Sequence, residues 1–132
     1  MSHAILICDD DPDIRGAMKR TLRGYEVTET SSPDEALAQL KTRSFDAVVS
    51  DFSLEAECDG LDLLQQVRTH YPDTVRFLVT GNRDVEVAAR AVNEGAVHRY
   101  FSKPWNDDKL RAALEVVLRV RPTATPDEPG GG

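Results

Sequence analysis

Apolar and polar positions alternate along this chain in two different periods, and the periods take turns. Ala4–Cys8 is an unbroken apolar run, after which Ile14, Met18 and Leu22 recur four residues apart. Tyr25–Glu29 alternates residue by residue, as a half-exposed strand does. Ala36, Leu37 and Leu40 return to helical spacing, introduced by "SSPDE": Ser32 is a natural N-cap, Pro33 suits the first turn, and Glu35 can reach back. The same exchange repeats three more times. Ala47–Val49 predicts a third strand, and Leu61, Leu64 and Val67 a helix opened by Asp59-Gly60. Val75–Val79 predicts a fourth strand, and Val85, Ala88, Ala89 and Val92 a helix ended by Gly95. Arg99–Ser102 predicts a fifth strand, and Leu110, Ala113, Leu114, Val117 and Leu118 the last helix.

Five strand–helix units of this length predict an α/β domain: a five-stranded parallel sheet with helices on both faces. The first, third and fourth strands are near-continuous apolar runs, suited to the centre of such a sheet. The second and fifth are more polar, suited to its edges. The order 2-1-3-4-5 satisfies both observations. It places a change of chain direction between strands one and three, and ligands bind at the carboxyl ends of strands flanking such a point. Residues 1–121 form the predicted domain. The remainder, 122–132, is rich in proline and glycine and reads as a flexible tail or a linker.

Composition narrows the picture. A chain of 132 residues fits one domain with one hydrophobic core. The net charge of −7 argues against nucleic-acid binding through this domain. That charge is uneven: residues 1–82 hold 8 basic and 15 acidic side chains, whereas residues 83–121 hold 8 basic and 6 acidic. No run is long and apolar enough to cross a bilayer, and "AILIC" is too short for a signal peptide, so no membrane association and a cytoplasmic location are expected. Cys8 lies in an apolar run and Cys58 is far from it in sequence. A buried, reduced thiol is the expected state of Cys8.

The chemistry gathers at the strand ends. The first strand runs into Asp9, Asp10 and Asp11, and the third, within "FDAVVSDFS", reaches Asp51. The predicted sheet puts these acids in one crevice. Carboxylates at close range raise one another's pKa values, and a hard divalent cation removes that cost. Mg2+ takes oxygen ligands, keeps several waters, and is often held by one or two carboxylates with phosphate oxygens. An acidic helix start accounts for Asp13, and partly for Asp11, but not for Asp9 and Asp10 beside Asp51. The fourth strand ends in "FLVTGN" with Thr80, and the fifth in "YFSKPW" with Lys103. A hydroxyl, an ammonium and metal-binding carboxylates are the equipment of phosphoryl transfer, in which a carboxylate can itself be the nucleophile.

The motifs "ICDDDPDIR", "DAVVSDFSLEAECDGLDLL", "FLVTGN" and "YFSKPW", in this order, make the chain resemble a response-regulator receiver domain, from Ala4 to about Val120. The ending "VNEGAVHRYFSKPWNDDKL" is similar to receivers that precede cyclic-dinucleotide phosphodiesterase modules. The resemblance implies a flavodoxin-like fold and a switch of two-component signalling, with no turnover of an external metabolite. Asp51 would accept a phosphoryl group from a histidine kinase or phosphotransfer protein. Asp10, Asp51 and the backbone carbonyl of Ser53 would ligate Mg2+, and Asp9 would hold a metal-bound water. Thr80 and Lys103 would contact the phosphoryl group, and Tyr100 would turn inward as the threonine moves. The Lys103–Pro104 bond is a candidate for the cis form. The surface of the fourth helix, fifth strand and fifth helix would meet a downstream output domain or protein, or a second copy.

The chain also departs from that pattern. Glu55 takes a position usually held by proline, and Asp59-Gly60 come one residue late. The lengthened loop carries Glu55 and Glu57, which would disfavour a free phosphate donor, unless they simply form a solvated loop. "GAVHRYF" is also one residue long, so the Tyr100 assignment rests on counting back from Lys103. Trp105 suits packing at the start of the last helix, and His70 and His98 read as surface or edge residues. Two other functions stay open at this stage. One is an adaptor that kept the fold without phosphorylation. The other is an aspartyl-phosphate phosphatase of the haloacid-dehalogenase type, whose motif Asp9-x-Asp11 superficially fits, although Pro12-Asp13 follow where that motif has Gly-Thr.

Overall fold

A computed structural model describes residues 3–52, 59–81 and 84–120. Its elements follow the alternation of the sequence: β1 Ala4–Cys8, α1 Pro12–Thr21, β2 Glu26–Thr30, α2 Pro33–Thr42, β3 Ala47–Asp51, α3 Gly60–His70, β4 Val75–Thr80, α4 Val85–Asn93, β5 Arg99–Ser102 and α5 Asp107–Val120. All strand pairs are parallel and the order is β2-β1-β3-β4-β5, as the strand polarities predict.

The sheet divides the apolar side chains into two cores because neighbouring residues of a strand point to opposite faces. Leu6 of β1, Val48 of β3 and Leu78 of β4 face α2, α3 and α4, where Ala36, Leu40, Leu63, Leu64, Val67, Ala88 and Ala91 meet them. Ile5 and Ile7, Ala47 and Val49, and Val75, Phe77 and Val79 face the other way, onto Met18 and Leu22 of the α1 region and Leu110, Ala113, Leu114 and Leu118 of α5. Burying each Leu or Ile contributes roughly 1.5–3 kcal/mol. The central strands therefore serve both layers, which is why their sequences lack alternation.

Helix starts are set by local hydrogen bonds. The Asp13 amide donates to the Asp11 side chain, with Pro12 in the first turn of α1. The Glu35 amide donates to Ser32 Oγ, while Glu35 itself accepts from the amide and hydroxyl of Ser31, one residue before the cap. Asp59 and Asp62 form a reciprocal capping box on α3. Gly95 closes α4 at φ +83°, a conformation costly for a residue with a Cβ.

Some boundaries and faces differ from the periodicity. Tyr25 lies in the turn before β2, its amide donating to the Leu22 carbonyl, so that strand starts one residue later. The third and fourth strands run on to include Asp51 and Thr80. On α4 the buried pair is Ala88 and Ala91, with Val85, Ala89 and Val92 half-buried. On α3 Leu63 is fully buried beside Leu64 and Val67, and Leu61 is half-buried. Small residues shift these helical stripes because tertiary packing, not hydropathy rank, selects the inward face. The proposed tail 122–132 and Cys58 lie outside the described residues. Cys8 is buried with a free thiol whose pKa burial pushes up to about 11.

β4 also holds a residue its apolar run conceals. Arg76 is buried, and its guanidinium donates to the carbonyls of Ala96 at 2.7 Å and Thr74 at 2.9 Å, with Pro72 and Gly95 at 3.3 and 3.4 Å. Its backbone amide donates to His98 Nδ1 at 3.0 Å. His98 is thus a half-buried residue of the sheet edge, one of the two placements its sequence context suggests. Arg76 ties the ends of α4 and β5 to the turn before β4.

Candidate functional site

The carboxyl ends of β1, β3, β4 and β5 converge on one pocket. Asp51 is the last residue of β3 and Asp9 the first after β1. Both are nearly buried, at 5% and 6% exposure, and Asp10 is half-buried beside them. Carboxylate oxygens of Asp9, Asp10 and Asp51 all lie within 4.8 Å of one another. Lys103 Nζ, delivered by the end of β5, is 2.7 Å from Asp51 Oδ1 and 3.5 Å from Asp9 Oδ2. Thr80 closes the pocket from β4, fully buried, its hydroxyl donating to the Gly81 carbonyl at 3.2 Å.

The backbone holds these groups in place. The Asp11 amide donates to Asp9 Oδ1 at 2.9 Å, and Arg15 Nη1 donates to the Asp9 carbonyl at 2.7 Å. The Thr30 hydroxyl donates to the Ile7 carbonyl at 2.7 Å. The Lys103 amide donates to the Thr80 carbonyl, fixing the two strand ends against each other, and Lys103–Pro104 is cis, as the resemblance implied. Gly60 presses on the end of β3 itself: a Cβ there would lie 1.7 Å from the Asp51 carbonyl oxygen. Its amide donates to the Phe52 carbonyl at 2.8 Å. Arg15 is a contributor to which the sequence motifs gave no role. The Asp-Gly pair was legible as a helix start, but the close approach was not.

Electrostatics define what the pocket wants. Burial pushes the Asp51 pKa above the ordinary carboxylate range; the Lys103 hydrogen bond pulls the other way, and Asp9 adds to the rise. Burial likewise raises Asp9, opposed by the Asp11 amide and by Lys103. For Lys103 burial acts downward, but the hydrogen bond and charge of Asp51, with Asp9, outweigh it and the net shift is upward. Three carboxylates thus face one ammonium in a poorly solvated site. The donor set is all oxygen, close enough for one ion, and accessible at Asp10. It fits a small hard cation that keeps some of its waters.

Each described site residue predicted from the sequence lies here except Tyr100, which sits half-buried on β5 against the core beneath α3 and α4. Ser53, Glu55 and Glu57 lie outside the described residues. Trp105 packs against the α1–α5 core, its Nε1 donating to Thr21 Oγ1 at 2.9 Å, and that hydroxyl donates to Asp107 Oδ1 at 2.6 Å.

A doubly wound α/β domain with an acidic, lysine-bearing pocket at its switch point defines a class of phosphate-handling folds. Comparison with known proteins narrows it to a family. Residues 5–115 match the model of the response regulator receiver domain, and the chain belongs to that family, the receiver module of two-component systems. It is 33% identical over 123 residues to the nitrogen assimilation regulatory protein NtrX of Azorhizobium caulinodans, covering 91% of this chain and 27% of that protein. It is 36% identical over 109 residues to the C4-dicarboxylate transport transcriptional regulatory protein DctD of Rhizobium meliloti, covering 81% of this chain and 23% of that one. The chain therefore spans about a quarter of the length of these curated relatives. Among solved structures, the signal receiver domain of an HD domain-containing protein from Pseudomonas fluorescens Pf-5 superposes with a TM-score of 0.81 at 35% identity, covering 89% of this chain and 88% of that one. Receiver domains bind Mg2+ at an acidic pocket, and this chain carries a cluster of Asp9, Asp10 and Asp51. Among the described residues no helix is long and apolar enough to cross a membrane.

Proposed function

We propose that this domain is a phosphorylation-dependent switch in which Asp51 is the phosphoacceptor. The observation that carries the reading is the convergence of three carboxylates within 4.8 Å with Lys103 Nζ 2.7 Å from one of them. An Asp51 carboxylate oxygen attacks the phosphorus of a phosphohistidine on a histidine kinase or phosphotransfer protein. The oxygen–phosphorus bond forms, the nitrogen–phosphorus bond breaks, and the electron pair leaves with the imidazole. Lys103, with Nζ 2.7 Å from Asp51 Oδ1, would meet the transferred oxygens. Mg2+, held by Asp10, Asp51 and the Ser53 carbonyl with Asp9 on a bound water, would neutralise charge on the phosphoryl oxygens.

Phosphorylation replaces one carboxylate charge by about −1.5 to −2. Thr80 then gives up the Gly81 carbonyl for a phosphoryl oxygen, and Tyr100 follows inward. Because Thr80 and Lys103 end β4 and β5, that exchange biases the packing of α4, β5 and α5, the surface for an output module or a second copy. The apolar Val116 and Val120, exposed by 49% and 72% on α5, support a partner there. The relatives named as a transcriptional regulator and an HD domain-containing protein favour a further module as the recipient. The chemistry is self-phosphorylation and self-dephosphorylation only.

The test is intact-mass measurement after incubation with acetyl phosphate and Mg2+, with Asp51→Asn in parallel. The expected result is one added phosphoryl group that requires Mg2+ and is absent from the variant. No added mass under conditions that phosphorylate a control receiver would identify a phosphorylation-independent adaptor instead. Steady release of phosphate dependent on Asp9 would identify a phosphatase.

A further inference from the structure

The opposite edge of the sheet carries a second site with the opposite charge. β1 and β2 begin there, and α1 and α5 end there. A cavity of about 560 Å3 opens among His3, Arg23, Tyr25, Arg111, Glu115 and Arg119. This is within the size range of small-ligand pockets. Three guanidiniums line it against one carboxylate, in a chain whose net charge is −7. Among the described residues none of the three takes part in an ion pair.

The cluster is also held in shape. Arg111 Nη1 donates to the carbonyls of Thr21 at 3.0 Å and Arg23 at 2.7 Å, capping the end of α1. The same guanidinium lies 5.8 Å from the centroid of the Tyr25 ring, and the His3 ring is tilted against that ring at 6.2 Å. Arg23 Nη1 donates to the Arg20 carbonyl at 3.3 Å. Arg111 is therefore positioned before any ligand arrives, so less of its entropy is lost on binding. Planar guanidinium forks match phosphoryl oxygens, and several around one concavity match several linked anionic groups better than one.

We propose that this cavity binds a small ligand carrying two linked phosphoryl groups, either inorganic pyrophosphate or a nucleoside diphosphate. In the second case the base would meet the Tyr25 and His3 rings. The site is separate from the Asp51 pocket, so the inference stands or falls independently of the phosphoacceptor reading. Its position beside the end of α5 would let the ligand act on whatever follows that helix.

The test is isothermal titration of the full chain with pyrophosphate and, separately, ADP, in 150 mM salt with EDTA so that the aspartate pocket holds no metal. The expected result is binding in the sub-millimolar range that Asp51→Asn leaves unchanged. Arg23→Gln and Arg119→Gln should each weaken it about fivefold, and Glu115→Gln should tighten it about threefold. That tightening is a response that loss of folding could not mimic. Equal affinity for the two ligands assigns recognition to the phosphates; tighter ADP binding adds the rings. No binding of either ligand at millimolar concentration would overturn the proposal, as would affinities indifferent to all three variants. A glutamate-rich peptide that binds where pyrophosphate does not would also overturn it, identifying an acidic chain as the occupant.

Discussion

Removing the charge of Asp51 should stabilise this domain in the absence of metal. Asp51→Asn keeps the shape of the side chain and its ability to accept from Lys103. It abolishes repulsion from Asp9 and Asp10, whose carboxylates come within 4.8 Å. At an effective dielectric near 20 each such repulsion is at least about 3.5 kcal/mol. It also forfeits attraction to Lys103 at 2.7 Å, about 6 kcal/mol on the same scale. The two repulsions together slightly exceed the one attraction, and Lys103 retains Asp9 at 3.5 Å, so no buried charge is orphaned. Relief from burying a carboxylate acts in the same direction. The variant should gain about 1–2 kcal/mol, raising Tm by roughly 3–8 °C for a domain of this size. Mg2+ reverses the ranking near saturation: at about a hundred times its dissociation constant it stabilises the wild type by about 2.7 kcal/mol and the variant by much less. Thermal denaturation in EDTA and in Mg2+ reads both effects. An Asp51→Asn protein that melts below the wild type in EDTA, or gains as much from Mg2+, would refute the electrostatic account of the pocket.

The same carboxylates make a pH prediction. Asp9 and Asp51 have native pKa values raised above 3.8, so between 3.8 and those values the folded chain holds more protons than the unfolded one. Their destabilisation is complete above the native values, fades as pH falls below them, and is gone below 3.8. The Tm gap between Asp51→Asn and wild type in EDTA should therefore close as pH is lowered from 7 toward 4; a constant gap in a pH series of melts would contradict it. Gly60→Ala should cost at least about 2 kcal/mol in urea denaturation, because its Cβ would collide with the Asp51 carbonyl. If Asp51 is the phosphoacceptor proposed above, it should also slow acetyl-phosphate labelling at least about tenfold by displacing that carboxylate, and unchanged labelling would remove Gly60 from the positioning apparatus. Arg76→Met should cost about 3 kcal/mol by leaving buried carbonyls of Ala96 and Thr74 without donors, with Arg76→Lys intermediate. A loss of unfolding free energy below about 1 kcal/mol in urea denaturation would show that water replaces the guanidinium.

Much of the architecture was legible because its causes are local. A period-two or unbroken apolar run bounded by turn residues makes a strand whatever lies elsewhere. The contrast between the apolar β1, β3 and β4 and the polar β2 and β5 reports how many faces each strand buries, and hence the order of the sheet. Asp9, Asp10, Asp51, Thr80 and Lys103 could be singled out because parallel strands deliver their carboxyl ends to one edge, so position at a strand end implies proximity. Ser32 could be assigned as a cap, and Asp59-Gly60 as a helix start, because the hydrogen bonds there span only three residues.

What the chain alone left open depends on contacts between segments far apart in sequence. The inward face of α4 was set by how closely that helix approaches β4 and β5, which favours Ala91 over the larger residues around it. Arg76 could be buried in a central strand only because carbonyls from two separate turns converge on it. The close approach of Gly60 to Asp51, the 2.7 Å separation of Lys103 from the same carboxylate, and the gathering of Arg23, Arg111 and Arg119 each join residues from different units of the fold. Hydropathy determines which side of each element is buried. The distances that give charged groups their chemistry are decided by strand register and helix packing, since Coulomb and hydrogen-bond energies change over tenths of an ångström that no sequence spacing encodes.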